Sequence, residues 1–415
     1  MSRFLFAWEL GGNYGHLIRD LPVAELLRAA GHQVLFAASD TRTAAELLTP
    51  RRYSFVQAPM PTRLAKMDHP PANYTEMLLE VKWGDQLALL GLLMAWLDLF
   101  ALARPDTIVA DHAPAALLSA RIAGIPCIAM GSGFEIPPAC NPLPSIRPWE
   151  SIPSARLLQS EALVLHRINT VNGILGGTSL KCVADIFPAH SILTTFAELD
   201  HYGPRDTGIY IGSIHGAQAA DDVSWPQTER MRVLAYLRPG EPATEPTLAV
   251  LAETNAASIC VAPGADRRFT EFHARPNLSI LPQPVRLSPL LAGTDVLVCY
   301  AGAGMIAEAL LAGVPLLLVP QTVEQYLAAA RVAALGAGIL VQLKEGIDAI
   351  RSGLATLLAD QSYRLAAQRF AARYRDITPE RAAADAAAAI LAVCNGTTLS
   401  SADKPVTPLS VGVPS

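Results

Sequence analysis

The sequence predicts an α/β protein made of two parallel-sheet halves. Three observations carry that prediction: an opening strand–turn–helix–strand unit, a gapless internal repeat, and a proline-rich break between the repeated copies. In the opening unit, residues 4–8 (FLFAW) read as a short apolar strand and 11–15 (GGNYG) as a turn. A helical spacing of Leu17, Leu21, Val23, Leu26 and Leu27 follows, stopped by Gly31 ahead of a second strand at 33–38. Units of this βαβ kind build parallel sheets. Further strands are expected at 106–110, 126–130, 258–262, 295–299 and 315–320.

The repeat lays IVADHAPAALLSARIAGIPCIAM, from Ile108, on VLVCYAGAGMIAEALLAGVPLLLV, from Val296, one residue in. Each copy reads as strand, small-residue turn, helix, AG[IV]P and strand, with Gly124 and Gly313 as helix ends and Pro126 and Pro315 as strand entries. Between the copies, residues 202–246 hold Gly203-Pro204, Trp225-Pro226, Pro239-Gly240, Pro242, Pro246 and the acidic pair Asp221-Asp222. This places a first domain at 1–205, a linker and entry segment at 206–245, a second domain at 246–375, a C-terminal helix at 376–395 that returns to the first domain, and a disordered tail at 396–415. Open parallel sheets bind ligands at the carboxyl ends of their strands, so a site is expected in a cleft between the halves.

Composition narrows the classes. With 51% hydrophobic and 17% charged residues in 415, the chain has a core to bury and is not disordered. A net charge of −5 argues against a nucleic-acid binder. The apolar run 87–103 holds Asp98 and reads as a buried helix, so peripheral membrane contact through it is disfavoured. Six scattered cysteines without a CxxC suggest neither disulfides nor a metal site. The N-terminal apolar stretch is too short for a signal peptide, which makes the cytoplasm the simplest address.

Candidate chemistry gathers at strand ends. His16 follows the first glycine turn at a helix N-terminus, which disfavours the imidazolium and leaves a proton acceptor near neutral pH. Asp111, just past the 108–110 strand, is the carboxylate to orient it, with the neighbouring His112 as an alternative. Tyr300, Ala301, Gly302, Ala303, Gly304 and Met305 form a strand-to-helix turn whose free N–H groups suit a diphosphate, and Glu308 lies one turn on, where a carboxylate can accept ribose hydroxyls. Glu324-Gln325 can each bond two adjacent sugar hydroxyls, Gln283 sits in a rigid Pro-Gln-Pro loop able to flank a base, and Arg267-Arg268 read as a solvated basic pair, with added positive charge near phosphates as the alternative. Trp83, Phe134 and Trp149, in segments 59–83 and 134–172, are the candidate lining of an apolar acceptor site.

These pieces, in this order, resemble the family 1 nucleotide-sugar glycosyltransferases, which include bacterial macrolide and natural-product transferases and UDP-glucuronosyltransferases. The resemblance is strongest over 278–340, which contains LPQPVRLSPLLAGTDVLVCYAGAGMIAEALLAGVP, and extends to GGNYGHL and VADH…AGIP in the first half. It implies the GT-B fold, two Rossmann-like domains facing across a cleft, with acceptor on the first and a UDP- or dTDP-sugar on the second. It also implies inversion at the anomeric carbon without metal or other cofactor, and a role in natural-product or glycolipid biosynthesis. By position, His16 falls at the base and Asp111 at its partner, Glu308 at the ribose ligand, Glu324-Gln325 at the pair holding the donor sugar, and Gln283 beside the nucleotide base.

Three positions depart from the family pattern: Tyr300 replaces the phosphate-binding histidine, Ala301 the first glycine, and Met305 the hydroxyl-bearing residue. Losing one charge-assisted bond costs about 1.5–3 kcal/mol, roughly ten- to a hundredfold in affinity. The backbone N–H groups of 302–305 and the Tyr300 hydroxyl are the expected replacements. The alternatives are a non-catalytic auxiliary or regulatory protein with a degraded phosphate site, and, more remotely, an epimerase or cell-wall lipid transferase on the same fold.

Overall fold

A computed structural model describes residues 1–12, 14–61, 63–189, 191–215 and 223–397. The acidic pair Asp221-Asp222 and the tail beyond 397 lie outside the described residues. The chain divides into two units, 1–216 with 378–415, and 217–377.

The first unit is a parallel sheet of seven strands: β1 (Arg3–Trp8), β2 (Gln33–Ala38), β3 (Ser54–Gln57), β4 (Thr107–Asp111), β5 (Cys127–Gly131), β6 (Ser191–Leu193) and β7 (Ile209–Tyr210). Their order is β3-β2-β1-β4-β5-β6-β7. β4 is buried along its whole length, the pattern of a sheet covered on both faces. One layer packs Phe4, Phe6 and Trp8 of β1 against Leu17, Leu21 and Leu27, and the returning helix Pro379–Cys394 closes it with Ala382, Ala383, Ala386, Ala387 and Ile390. Alanines at helical spacing let this helix approach closely, and Thr378, accepting from the Arg381 N–H at 3.2 Å, caps its start ahead of Pro379. Each large side chain buried this way contributes about 1.5–3 kcal/mol.

The opposite layer holds the helix Gln86–Ala103, started by the Asp85 carboxylate, which accepts from the Leu87 and Ala88 N–H groups. Leu89, Leu92, Leu93, Trp96 and Phe100, spaced three and four apart, face the core. The expectation of a wholly buried helix holds for that face alone, because Leu87 (77%) and Leu102 (82%) are exposed on the outer side. By length and composition this helix is apolar enough to cross a membrane.

The second unit is a six-stranded parallel sheet of β8 (Arg232–Tyr236), β9 (Ala257–Val261), β10 (Leu278–Leu281), β11 (Val296–Cys299), β12 (Leu316–Leu318) and β13 (Gly338–Leu340), in the order β10-β9-β8-β11-β12-β13. Its order repeats that of the first unit, so the two repeat copies occupy the same place: β4 and β11 as fourth strand, β5 and β12 as fifth. Gly124 (φ 67°) and Gly313 (φ 71°) take the same left-handed conformation at the ends of the matching helices. β7 and β8 both lie inside the stretch read as linker, one in each unit.

Candidate functional site

In the first sheet the strand order reverses between β1 and β4, and both candidate residues of that half sit there. Trp8, at the end of β1, is in register with Asp111, at the end of β4. The chain leaves β1 through Gly11 and starts the helix Gly15–Ala29, whose second residue is His16. The His16 ring stacks on Trp8, centroids 5.2 Å apart, and its Nδ1 donates to Asp111 Oδ1 at 2.9 Å. That bond fixes the tautomer and leaves Nε2 to accept a proton.

Two charged residues that sequence reading passed over complete the cluster. Arg19, one turn after His16, donates Nε–H to Asp111 Oδ2 at 3.1 Å and Nη2–H to Asp111 Oδ1 and, at 3.2 Å, to Glu135 Oε1. Glu135, in the loop after β5, accepts from Ser132 Oγ at 2.8 Å. Burial pushes both carboxyls up, but the Arg19 guanidinium outweighs it, aided at Asp111 by His16, so Asp111 is held well below the usual range and Glu135 falls to about 2. The ligand atoms of His16, Asp111 and Glu135 lie close enough together to suggest a metal site, yet Arg19 Nη2 fills the place a cation would take. Burial drives the carboxyls of Asp20 and Glu9 the other way, Asp20 well above the usual range and Glu9 to about 8.

His112 is not an equivalent alternative to His16. It leaves β4 with φ 49°, is 7% exposed, and burial lowers its pKa to about 4, so the ring is neutral. Gly11 is needed where it stands: φ is +82°, and a Cβ there would lie 2.6 Å from His16 Nε2. Gly11→Ala is therefore expected to cost about 1–2 kcal/mol of stability. It should also lower turnover at least tenfold by displacing the ring, whereas Gly12→Ala, whose Cβ meets nothing within 4 Å, should leave both unchanged. Thermal unfolding and a turnover assay on the pair check this.

In the second sheet the order reverses between β8 and β11, and the donor candidates all follow carboxyl ends on that edge. Gln283 lies exposed in the loop after β10. After β11, Ala301 takes the left-handed φ of 68° where the family pattern has glycine, and Gly302 caps the helix Ala303–Leu311 with no side-chain bond. The N–H groups of Ala303, Gly304 and Met305 thus lack intrahelical acceptors. Glu308 follows one turn on, and burial raises its carboxyl to about 7. Glu324 and Gln325 open the helix Val323–Ala334, where Gln325 Oε1 is already accepting from the Gln321 N–H at 2.8 Å, leaving its Nε2 to donate.

Two expectations need correcting, those for Tyr300 and Trp83. The Tyr300 hydroxyl is not turned toward the helix end: it accepts from the Arg238 N–H at 3.1 Å and lies 2.5 Å from Thr244 Oγ1, anchoring the loop after β8. Arg267 is exposed and paired with Glu271 at 2.6 Å, the behaviour of a solvated basic residue. Trp83 is fully buried in the core beneath the Gln86–Ala103 helix, so it packs the domain and cannot line an open acceptor site. Trp149 is 42% exposed, and Phe134 is buried, its ring edge-on to His201 at 5.7 Å.

Residues 268–387 match the profile of the erythromycin biosynthesis protein CIII-like C-terminal domain. Over 94–95% of the chain the fold is that of solved natural-product glycosyltransferases, as the resemblance implied. The fold is thus the two-domain GT-B fold, and the chain is similar to glycosyltransferases that have it. The calicheamicin glycosyltransferase CalG4 superposes with a TM-score of 0.70 at 22% identity, over 95% of this chain and 98% of its own. The glycosyltransferase VinC, solved in complex with dTDP, superposes with a TM-score of 0.66 at 15% identity, over 95% and 100%. In sequence, a PGL/p-HBAD biosynthesis rhamnosyltransferase of Mycobacterium bovis is 24% identical over 399 residues, covering 89% of this chain and 83% of the relative.

Proposed function

We propose that the chain is an inverting, metal-independent glycosyltransferase that moves a sugar from a dTDP- or UDP-sugar to a hydroxyl of a small, largely apolar natural-product or lipid acceptor. The observation that carries this reading is the His16–Asp111 pair, with Nε2 left as the proton-accepting atom. In the proposed reaction, Nε2 takes the acceptor's hydroxyl proton as its oxygen attacks the anomeric carbon opposite the nucleotide. The C–O bond to the diphosphate breaks, and the charge growing on the leaving group meets the N–H groups of Ala303, Gly304 and Met305. Asp111 stabilises the imidazolium formed in that step. The dTDP bound by VinC favours the thymidine donor, and the mycobacterial relative favours a deoxysugar such as rhamnose.

Calorimetric titration with dTDP, UDP, GDP and ADP tests the donor half. Selective binding of one diphosphate, weakened by Glu308→Ala, is the expected result. Because burial holds the Glu308 carboxyl near 7, the ionised acceptor for ribose hydroxyls forms only above that pH. Affinity should therefore rise about tenfold between pH 6 and 8 and become flat in Glu308→Gln. One observation keeps the auxiliary-protein reading open: with the Tyr300 hydroxyl engaged and methionine at 305, the helix end offers backbone donors alone. A folded sample that binds none of the four nucleotides would establish that reading instead.

A further inference from the structure

We propose that Arg19 and Glu135 form a charge clamp that sets the basicity of His16, Arg19 cancelling the Asp111 carboxylate and Glu135 tempering Arg19. The proposal rests on reading His16 as the base. In a buried His–Asp pair standing alone, the carboxylate favours the imidazolium, and a base already protonated at working pH cannot accept a proton. Here Arg19 Nη2 lies 3.3 Å from His16 Nδ1. It is not bonded to that nitrogen, because Nδ1–H already donates to Asp111 Oδ1; two donors face each other. A proton arriving on Nε2 therefore creates positive charge beside a fixed cation that Asp111 alone would not have supplied.

The surroundings leave this cluster to decide the matter. From β1 and its end come Trp8, which is neutral, and Glu9, kept protonated by burial. The helix Gly15–Ala29 contributes Arg19 and Asp20, whose carboxyl burial and the neighbouring Asp111 push well above the usual range. His112 after β4 is neutral, as is the Tyr74 phenol behind it, and the loop after β5 brings Glu135 and Ser132. Asp111, Arg19 and Glu135 thus carry one net negative charge while His16 is neutral, and none once it has taken the acceptor's proton. The clamp makes the protonated state the electrically balanced one, and the guanidinium keeps that state from being reached too early.

Titration of the histidine 1H–13Cε1 signals by NMR tests this without any substrate, with His16 assigned among the nine histidines through His16→Gln. Glu135→Gln leaves Arg19 stronger and should lower the His16 pKa by about one unit. Arg19→Gln should raise it by about one unit or more, and Arg19→Lys should bring it back toward the wild-type value. Arg19→Gln buries two unpaired carboxylates and can fail to fold. The double variant Arg19→Gln/Glu135→Gln leaves one such carboxylate, Asp111, still bonded to His16 Nδ1, and should titrate above wild type, below Arg19→Gln. The order Glu135→Gln, wild type, double variant therefore carries the test by itself. Shifts in one common direction, or none beyond 0.3 unit, overturn the clamp. Full transfer activity in His16→Ala would instead sink the base reading, which the titration order does not depend on.

Discussion

Replacing His16 by alanine is expected to lower kcat/KM for sugar transfer by two to four orders of magnitude, the usual range for a lost general base. The fold should persist, because the His16 side chain is partly exposed at the start of its helix and only its ring faces touch Trp8 and His112. Asp111→Asn should look different. It removes the orienting carboxylate, so turnover falls as in His16→Ala, and it also strips the buried Arg19 of its main counter-charge. Removing one partner of a buried ion pair costs about 3–5 kcal/mol. The two variants should therefore share a kinetic defect and separate in thermal unfolding. Steady-state assays with a donor chosen by the nucleotide titrations, alongside calorimetric melts, read both quantities. Wild-type turnover in His16→Ala removes the base assignment, and equal melting temperatures for the two variants remove Arg19's dependence on Asp111.

How much of this was legible in the sequence depends on the range of the interaction. The βαβ units could be read because their signals are local: apolar runs, glycine stops, and the prolines Pro126 and Pro315 ahead of β5 and β12. The equivalence of β4 and β11 followed from the repeat. β8 was missed because RVLAY stands between Trp225-Pro226 and Pro239-Gly240, and punctuation outweighed five apolar-leaning residues. His16 and Asp111 were visible because each is a polar residue ending an apolar strand or glycine turn. Arg19 was not, since an arginine on an amphipathic helix usually reads as solvated. Its partners stand 92 and 116 residues away, brought there only by strand order. Tyr300 shows the same limit: its position matched a phosphate ligand, but its direction is set by Thr244, 56 residues earlier. Trp83 could not be told from a pocket wall because burial in a core and lining of a cleft ask for the same residue type.

The clearest pH effect on stability should come from Glu9. Its side chain is completely buried, with Oε2 accepting from the Ala115 N–H at 2.9 Å and Oε1 lacking a partner among the described residues. Burial dominates those backbone bonds and raises the carboxyl from about 4.5 to about 8. Between those two values the folded chain holds a proton that the unfolded chain has released, so stability is greatest below the lower one and declines until the upper one is passed. At about 1.4 kcal/mol per pH unit, the loss across the window is on the order of 5 kcal/mol. His112 acts oppositely at lower pH: its depressed value, about 4 against an ordinary 6.5, makes stability rise over that interval. Between pH 6.5 and 8 that opposition is gone. Glu9→Gln, which cannot ionise, should therefore melt progressively higher than wild type as pH rises through this range, and close to it at pH 5. Parallel melting curves from pH 5 to 8 would show that Glu9 is ionised in the folded protein, with its charge met at the start of the Pro114–Ala123 helix. Asp20, buried with both oxygens unpartnered among the described residues, should leave a residual slope of the same sign in the Glu9→Gln variant, and Asp20→Asn should remove it.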